Sequence, residues 1–337
     1  MNRGSFAIIG CQHAHIGIFI GEMLALGYRC AGLYEPDNKE LAEAMAAQHG
    51  IRLADTMEEL LGPDVEIVGC AAINLEKIEV IERCEEAGKH VMVDKPAVTT
   101  TGALERLKAV VERGRIQVGM LLTERFRPSV QALKACIDRG ELGDLVHVAM
   151  RKPHRLNPGK RPKWHFPKEE NGGIVIDLLI HDVDLVRWLT GEELASMDGF
   201  ATKTGYPEYP DFYDSASVQT VTGSGVTAQL YADWYTPEKS WTWGDCRIFV
   251  AGTKGSAELR LEGDPLVADE DLLLVVTDRE PLRRIQPEEP PVGISEDFVN
   301  RLAGKPSVLG HEDILRASEL VLACDRNVSR IQRPRSE

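Results

Sequence analysis

The stretch AIIGCQHAHIGIF, residues 7–19, decides the fold of this 337-residue chain because it predicts a buried strand, a tight turn and a helix start. The apolar run ends at Gly10, and apolar residues at helical spacing follow it. This layout is typical of a glycine-rich dinucleotide loop, in which a diphosphate lies at a helix N-terminus. Gln12 and His15 stand where two further glycines are usual, so Gln12 must turn its side chain away or lie over the dinucleotide.

Strand-like and helix-like segments alternate through the first 121 residues. Such alternation predicts a parallel, doubly wound sheet with right-handed crossovers. Sheets of this kind bind ligands at the carboxyl ends of their strands. The residues that fall at these ends are Gly10, Glu35, Ala72 and Lys95.

The sequence pattern changes after residue 122. A helix near 172–189 precedes several short alternating segments with glycine between them, which predict an antiparallel sheet. A closing helix is predicted over 311–330. We therefore expect two domains, a dinucleotide-binding domain over 1–122 and an α+β domain for substrate binding and oligomerisation over 123–337.

Glu35 ends the second predicted strand, 25 residues after Gly10. An acidic side chain at this place can accept hydrogen bonds from the adenosine ribose and repels a 2′-phosphate. The alternative is a solvated glutamate before a proline turn. The spacing favours NAD over NADP as the cofactor.

Composition narrows the class of protein. The net charge of −14 argues against binding to nucleic acid or to acidic lipid. We expect a cytoplasmic location, because no apolar run is long enough for a membrane span and no signal peptide is evident. The seven cysteines include no CxxC pair. Cys11, His13 and His15 could also be read as metal ligands, but the sequence offers no partner cluster, so no metal site is predicted.

The helix GGIVIDLLIHDVD, residues 172–184, carries a polar row on an otherwise apolar segment. At about 100° per residue, Asp177, His181 and Asp184 lie within roughly 60° of one another. A histidine one turn from a carboxylate is a good general acid or base. The alternatives are a structural hydrogen-bond cluster and a metal site, and Asp184 is assigned a structural role.

Two basic features complete the candidate substrate site. Lys95 could polarise a substrate oxygen, although a surface lysine at a strand end is the plain alternative. The basic island RKPHRLNPGKRPKWHF, residues 151–166, could receive an anionic substrate, or it could be a solvated loop. The predicted substrate-binding residues are Arg125, His154, Trp164 and His165.

Four segments together resemble the Gfo/Idh/MocA oxidoreductases, the group that includes glucose-fructose oxidoreductase and inositol dehydrogenase. They are DVEIVGCAAINLEKIEVIERCEEAGKHVMVDKPAV (64–98), TERFRPSVQALKACIDRGELGDL (123–145), GGIVIDLLIHDVDLVRWL (172–189) and AGTKGSAEL (251–259). The chain departs from the family pattern in its glycine loop, with Lys77 in place of a histidine and with Asp94 in place of a glutamate.

The resemblance implies an N-terminal Rossmann domain and a C-terminal α+β domain with a large open-faced, mainly antiparallel sheet. It assigns catalysis to Lys95, Asp177 and His181. The predicted cofactor-binding residues are Gly10, Gln12, His13, Glu35, Ala72, Asn74, Asp94 and Lys95.

The expected function is hydride transfer between NAD and a hydroxyl or carbonyl group of a small polyol, sugar, cyclitol or sugar acid. The substrate could be anionic. The alternatives are a non-catalytic NAD-binding sensor on the same fold and an NAD-dependent glycoside-cleaving enzyme with internal redox. The C-terminal sheet is expected to form a homodimer or homotetramer.

Overall fold

The computed structural model describes residues 4–267, 270–290 and 292–333. The chain divides into two compact units, each with its own sheet. The first unit comprises Met1–Leu122, Glu169–Gly172 and Val292–Glu319. The second unit comprises Thr123–Lys168, Gly173–Pro291 and Leu320–Glu337.

The first unit is built on a five-stranded parallel sheet. Strands β1 to β5 are Ser5–Cys11, Arg29–Tyr34, Ile67–Ala71, His90–Val93 and Val118–Met120. Their order in the sheet is β2-β1-β3-β4-β5, and every neighbouring pair is parallel. Every residue of β1 and β3 is buried, as expected for strands covered on both faces.

Helices connect these strands, and their ends follow the local sequence. Helices α1 to α4 are Ile16–Ala25, Lys39–His49, Lys77–Glu86 and Thr101–Arg113. The side chain of Asn38 caps α2, and that of Thr100 caps α4. Gly50 and Gly114 end these two helices with positive φ angles of 65° and 63°.

The second unit contains a mixed sheet of nine strands. Strands β6 to β14 are Leu145–Pro153, Leu194–Lys203, Ser215–Thr222, Thr227–Asp233, Arg247–Gly252, Gly255–Arg260, Leu272–Thr277, Arg283–Ile285 and Ser329–Gln332. Their order is β13-β12-β11-β10-β6-β9-β8-β7-β14. The β6–β9 and β14–β7 pairs are parallel, and the remaining pairs are antiparallel.

Five further helices complete the described chain. They are α5 (Pro128–Asp138), α6 (Lys168–Asn171), α7 (Ile174–Thr190), α8 (Ile294–Leu302) and α9 (His311–Asn327). Helix α7 packs against β6, β8 and β9. Gly173 precedes α7 with φ +83°, and Gly191 follows it with φ +71°. The predicted fold class, a parallel Rossmann sheet followed by a mainly antiparallel sheet, is confirmed.

Helix α8 was not predicted from the sequence, and side chains attach it to the first unit. Ser295 N donates to Glu22 Oε2 at 2.7 Å, and an Nη of Arg301 donates to Val118 O at 2.7 Å.

No helix in the described part of the chain is long and apolar enough to cross a membrane.

Candidate functional site

Gly10 is the last residue but one of β1, and its φ is +84°. A Cβ atom at this position would lie 2.5 Å from the backbone nitrogen of Ala72, which follows β3. The two segments approach so closely that only glycine fits. Helix α1 begins at Ile16, and its first turn carries no acidic side chain. Such a helix N-terminus suits an anion, so the loop fits a dinucleotide diphosphate.

The side chain of Gln12 is directed at Glu35, the predicted ribose acceptor. Gln12 Nε2 donates to Glu35 Oε1 at 2.6 Å, and Cys11 N donates to Glu35 Oε2 at 2.6 Å. The amides of Asp37 and Asn38 also donate to Oε1, at 2.8 and 3.0 Å. The predicted ribose acceptor therefore already binds N–H groups of this chain on both oxygens.

Asp94, which follows β4, lies beside the two histidines of the glycine loop. Its Oδ2 is 3.2 Å from His13 Nδ1, and its Oδ1 is 3.3 Å from His15 Nδ1. The Asp94 side chain is buried, which opposes ionisation, but the charges of Lys77 and the two histidines hold the pKa of its carboxyl well below the usual range. The sequence alone did not show this convergence.

The imidazole of His13 is neutral at physiological pH. Burial is the main cause that lowers its pKa to about 4, and the positive charges of His15 and Lys95 lower it further. Asp94 acts in the opposite direction. Because the charge of Lys95 lowers the pKa of His13, its ammonium group lies near the imidazole.

Lys77 holds the segment that carries Asp94 and Lys95. Its Nζ donates to the main-chain oxygens of Asp94, Lys95 and Pro96 at 2.8, 3.3 and 3.2 Å. It also donates to Asn74 Oδ1 at 2.8 Å. Asn74 Nδ2 in turn donates to a main-chain oxygen of α6 at 2.9 Å. The predicted cofactor residue Asn74 thus takes part in a buried network.

The sequence pattern predicted no structural or functional role for Lys77. The signal was present, because Ile81 and Cys84 follow it at helical spacing and both are buried. That periodicity places Lys77 on the buried face of α3. A buried lysine needs acceptors, which the three carbonyl groups and the Asn74 amide supply.

In the second unit, α7 carries the predicted polar row within a buried helix. Asp177 and His181 are 7% and 6% exposed, and Asp184 is 1% exposed. Arg125, which sequence analysis assigned to substrate binding, pairs with Asp184 through two hydrogen bonds of 2.7 and 2.5 Å. Both side chains are buried, so this pair holds the segment before α5 against α7.

Arg161 lies near Asp177, and the sequence did not single it out within the basic island. Its guanidinium carbon is 5.2 Å from the ring centroid of Trp234 and 5.4 Å from that of Trp243. Its Nε donates to Leu156 O at 2.9 Å. Burial lowers the pKa of Arg161, and the carboxylate of Asp177 opposes that shift. A half-buried cation is therefore fixed between two aromatic rings beside the polar row of α7.

Two of the predicted substrate residues pack against the ring of Trp234. The ring centroids of His154 and His165 lie 5.8 and 5.1 Å from that of Trp234. Trp164 packs beside His165 at 6.0 Å and is only 8% exposed, so little of its ring is open to solvent. His154 and the buried pair His165 and Trp164 thus belong to one aromatic group.

Comparison with known families matches both parts of the chain. Residues 5–120 match a family described as "Oxidoreductase family, NAD-binding Rossmann fold". Residues 130–258 match a family described as "GFO/IDH/MocA C-terminal domain". The two matches together cover most of the chain.

Curated relatives with similar sequences include inositol dehydrogenases. An inositol 2-dehydrogenase of Rhizobium meliloti is 30% identical over 64% of this chain and 63% of its own length. A scyllo-inositol 2-dehydrogenase (NAD(+)) of Bacillus subtilis is 32% identical over 65% of this chain and 62% of its own. The aligned region is therefore somewhat less than two thirds of these relatives.

Solved structures share the whole architecture. A protein from Erwinia carotovora atroseptica, 25% identical, superposes with a TM-score of 0.88 over 98% of this chain and 100% of its own. A levoglucosan dehydrogenase in complex with NADH, 19% identical, gives 0.80 over 96% of each chain and shows the fold alone.

Proposed function

The chain belongs to the Gfo/Idh/MocA oxidoreductase family, and on that premise we propose that it is an NAD-dependent dehydrogenase of a hydroxylated small molecule. The substrate class is a polyol, sugar, cyclitol or sugar acid. The observation that carries the proposal is the retention of Lys95 after β4 and of Asp177 and His181 on α7. The inositol dehydrogenases among the relatives support the same class of reaction.

The side chains supply the proton chemistry. A bound NAD would supply the hydride acceptor or donor. His181 takes the proton of the substrate hydroxyl on its imidazole, since a histidine can exchange protons near neutral pH. Lys95 stabilises the negative charge that develops on the substrate oxygen, and Asp177 orients the substrate or the imidazole.

The choice of NAD over NADP rests on Glu35. Its carboxylate would repel a 2′-phosphate and can accept a hydrogen bond from a ribose hydroxyl. The backbones of Gly10 and Ala72 lie close together at the glycine loop, and the Gln12 side chain donates a hydrogen bond to Glu35. The Lys77 network fixes the main chain of Asp94 and Lys95 near this loop.

An anionic substrate is favoured by Arg161. The guanidinium is held between Trp234 and Trp243, next to the charge of Asp177. A planar guanidinium can bind a carboxylate through two parallel hydrogen bonds. His154, Trp164 and His165 are proposed to form the neighbouring wall of the substrate site. Arg125 is left out because its guanidinium pairs with Asp184.

A second candidate function is a non-catalytic NAD sensor. The family match leaves this function open, because a Rossmann domain can bind a dinucleotide without catalysing a reaction. A sensor would bind NADH without turning over a substrate. Its output would be a change in affinity for a partner protein.

Self-assembly is proposed through the outward face of the nine-stranded sheet. Phe200, Phe249, Val276 and Ile331 are 54%, 42%, 36% and 42% exposed and lie on strands β7, β10, β12 and β14. The neighbours of Phe249 on both sides, Ile248 and Val250, are buried, so its ring lies on the outward face of β10. Exposed apolar side chains on this sheet suit a homodimer or homotetramer. Light scattering of the wild type and of Phe249→Asp measures the oligomeric state. A monomeric wild type would contradict the proposed self-assembly.

The first experiment is calorimetric titration of the purified protein with NADH and NADPH, after removal of carried-over cofactor. We expect NADH to bind more tightly. The protein is then assayed for NAD⁺ reduction with inositols, neutral sugars and sugar acids. Turnover of sugar acids that weakens in Arg161→Gln, with neutral polyols unaffected, supports the anionic class. NADH binding without turnover supports the sensor, and no binding of either nucleotide overturns both functions.

A further inference from the structure

Residues that depart from the usual dinucleotide motif come together in the first unit. His15 stands at a position where the motif usually has glycine, and Asp94 stands where the resemblance predicts a longer acidic side chain. His13 lies in the same loop as His15, after β1. Their ligand-type atoms, two imidazole nitrogens and a carboxylate oxygen, all lie within 4.8 Å of one another.

The three side chains are in contact with one another. The two imidazoles approach different oxygens of Asp94, with Oδ2 3.2 Å from His13 Nδ1 and Oδ1 3.3 Å from His15 Nδ1. One ligand atom from each residue lies within 4.8 Å of the other two, whereas the ligand atoms of one tetrahedral ion with bonds of about 2.0–2.2 Å are roughly 3.3–3.6 Å apart. The two rings are almost perpendicular, at 89°, with centroids 4.1 Å apart. Both nitrogens therefore face one carboxylate, and a small movement of the rings would place all three groups around one ion.

One ligand atom of the group lies in the interior of the protein. His13 Nδ1 is buried and makes no hydrogen bond of good geometry among the described residues.

Two ammonium groups act against a cation here. Lys77 is committed to main-chain carbonyls and Asn74, and Lys95 lies close enough to lower the pKa of His13. The Asp94 carboxylate offsets one of these charges. The neighbouring lysines therefore reduce the affinity of the site without removing its ligands.

We propose that His13, His15 and Asp94 form a binding site for a divalent transition-metal ion. Two imidazoles and one carboxylate fit Zn²⁺, and they leave at least one coordination position open. The site shares His13 and Asp94 with the predicted cofactor-binding residues, but Zn²⁺ binding itself requires neither a cofactor nor a substrate. Cys11 is not part of the group that converges.

The test is Zn²⁺ binding to the full chain after treatment with a chelator. A competition titration with a fluorescent zinc indicator measures stoichiometry and affinity without dinucleotide. We expect one Zn²⁺ per chain, and at least ~10-fold weaker binding in His15→Gln and Asp94→Asn. The absorption bands of bound Co²⁺ should show nitrogen and oxygen coordination and disappear in both variants.

His147→Gln is the matched control, because this histidine lies on β6 and its ring bonds Thr227 at 2.8 Å. It should bind Zn²⁺ as the wild type does. His15 is half-exposed, so His15→Gln keeps the test decisive even if Asp94→Asn does not fold. Absence of stoichiometric Zn²⁺ in the wild type, or unchanged affinity in His15→Gln, overturns the proposal. NADH titration tests the proposed function separately.

Discussion

The carboxamide of Gln12 donates to Glu35 Oε1 at 2.6 Å, so two side chains of the cofactor loop are bound to each other. The pair stabilises the loop in a form that engages the predicted ribose acceptor. We expect Gln12→Gly to release Glu35 and to let the backbone approach the diphosphate, which raises NADH affinity by ~3- to 10-fold. Calorimetric titration measures the change, and weaker binding in Gln12→Gly would show that the carboxamide itself contacts the cofactor.

Gly10 should tolerate no side chain. Gly10→Ala places a Cβ atom 2.5 Å from the backbone nitrogen of Ala72 at a φ of +84°. We expect the free energy of unfolding to fall by ~3 kcal/mol or more. Gly21→Ala is the control, since a Cβ atom there meets nothing within 4 Å in the interior of α1. It should leave stability unchanged or raise it by up to ~1 kcal/mol, as denaturant titration would report.

Lys95→Met and His181→Asn should separate chemistry from cofactor binding. Loss of a general base or of charge stabilisation lowers kcat by at least ~100-fold. The dissociation constant for NADH should change little in His181→Asn, because α7 contributes no predicted cofactor contact. Steady-state kinetics on a substrate found in the panel, with His147→Gln as control, measures both quantities. Wild-type turnover in His181→Asn would exclude it as the base.

Stability should fall at acidic pH because of His311. Burial, followed by the charge of Arg301, lowers the pKa of His311 to about 4 from an ordinary value of 6.5. Its Nε2 accepts a hydrogen bond from Val118 N at 3.0 Å, which requires the neutral ring. A depressed histidine pKa stabilises the fold above pH 6.5, and this contribution is lost as the pH falls towards 4.

We expect the wild type to lose roughly 2 kcal/mol more than His311→Gln between pH 7 and pH 4, after allowance for partial exposure. Glutamine keeps an acceptor for Val118 but does not titrate. Urea unfolding at several pH values, with His147→Gln alongside, measures the difference. Parallel curves for wild type and His311→Gln would show that another group controls acid unfolding.

Much of the fold was predictable from local pattern. Continuous apolar runs and helical spacing identified β1 to β5 with the helices between them. The polar row on α7 followed from helix geometry alone. These features depend on residues close in the chain, whose spacing is fixed by the period of a helix or strand.

Contacts between distant segments were not predictable in the same way. No local pattern brings Asp94 to His13 and His15, or Lys77 to the carbonyls after β4. The pairing of Arg125 with Asp184 joins residues 59 positions apart, which no local pattern predicts. Helix α8 was missed because it is held by contacts to residues far away in sequence, Glu22 and Val118.

The sequence by itself determined the order of strands and helices, the glycine turn and the face of α7 that carries His181. Tertiary structure alone decided which polar side chains are partners, since strand order sets which loops meet at the edge of a parallel sheet. In this chain β1 lies beside β3, and β3 beside β4. That adjacency joins the loop after β1 to Asp94, because burial forces polar groups to find partners among the nearest segments in space.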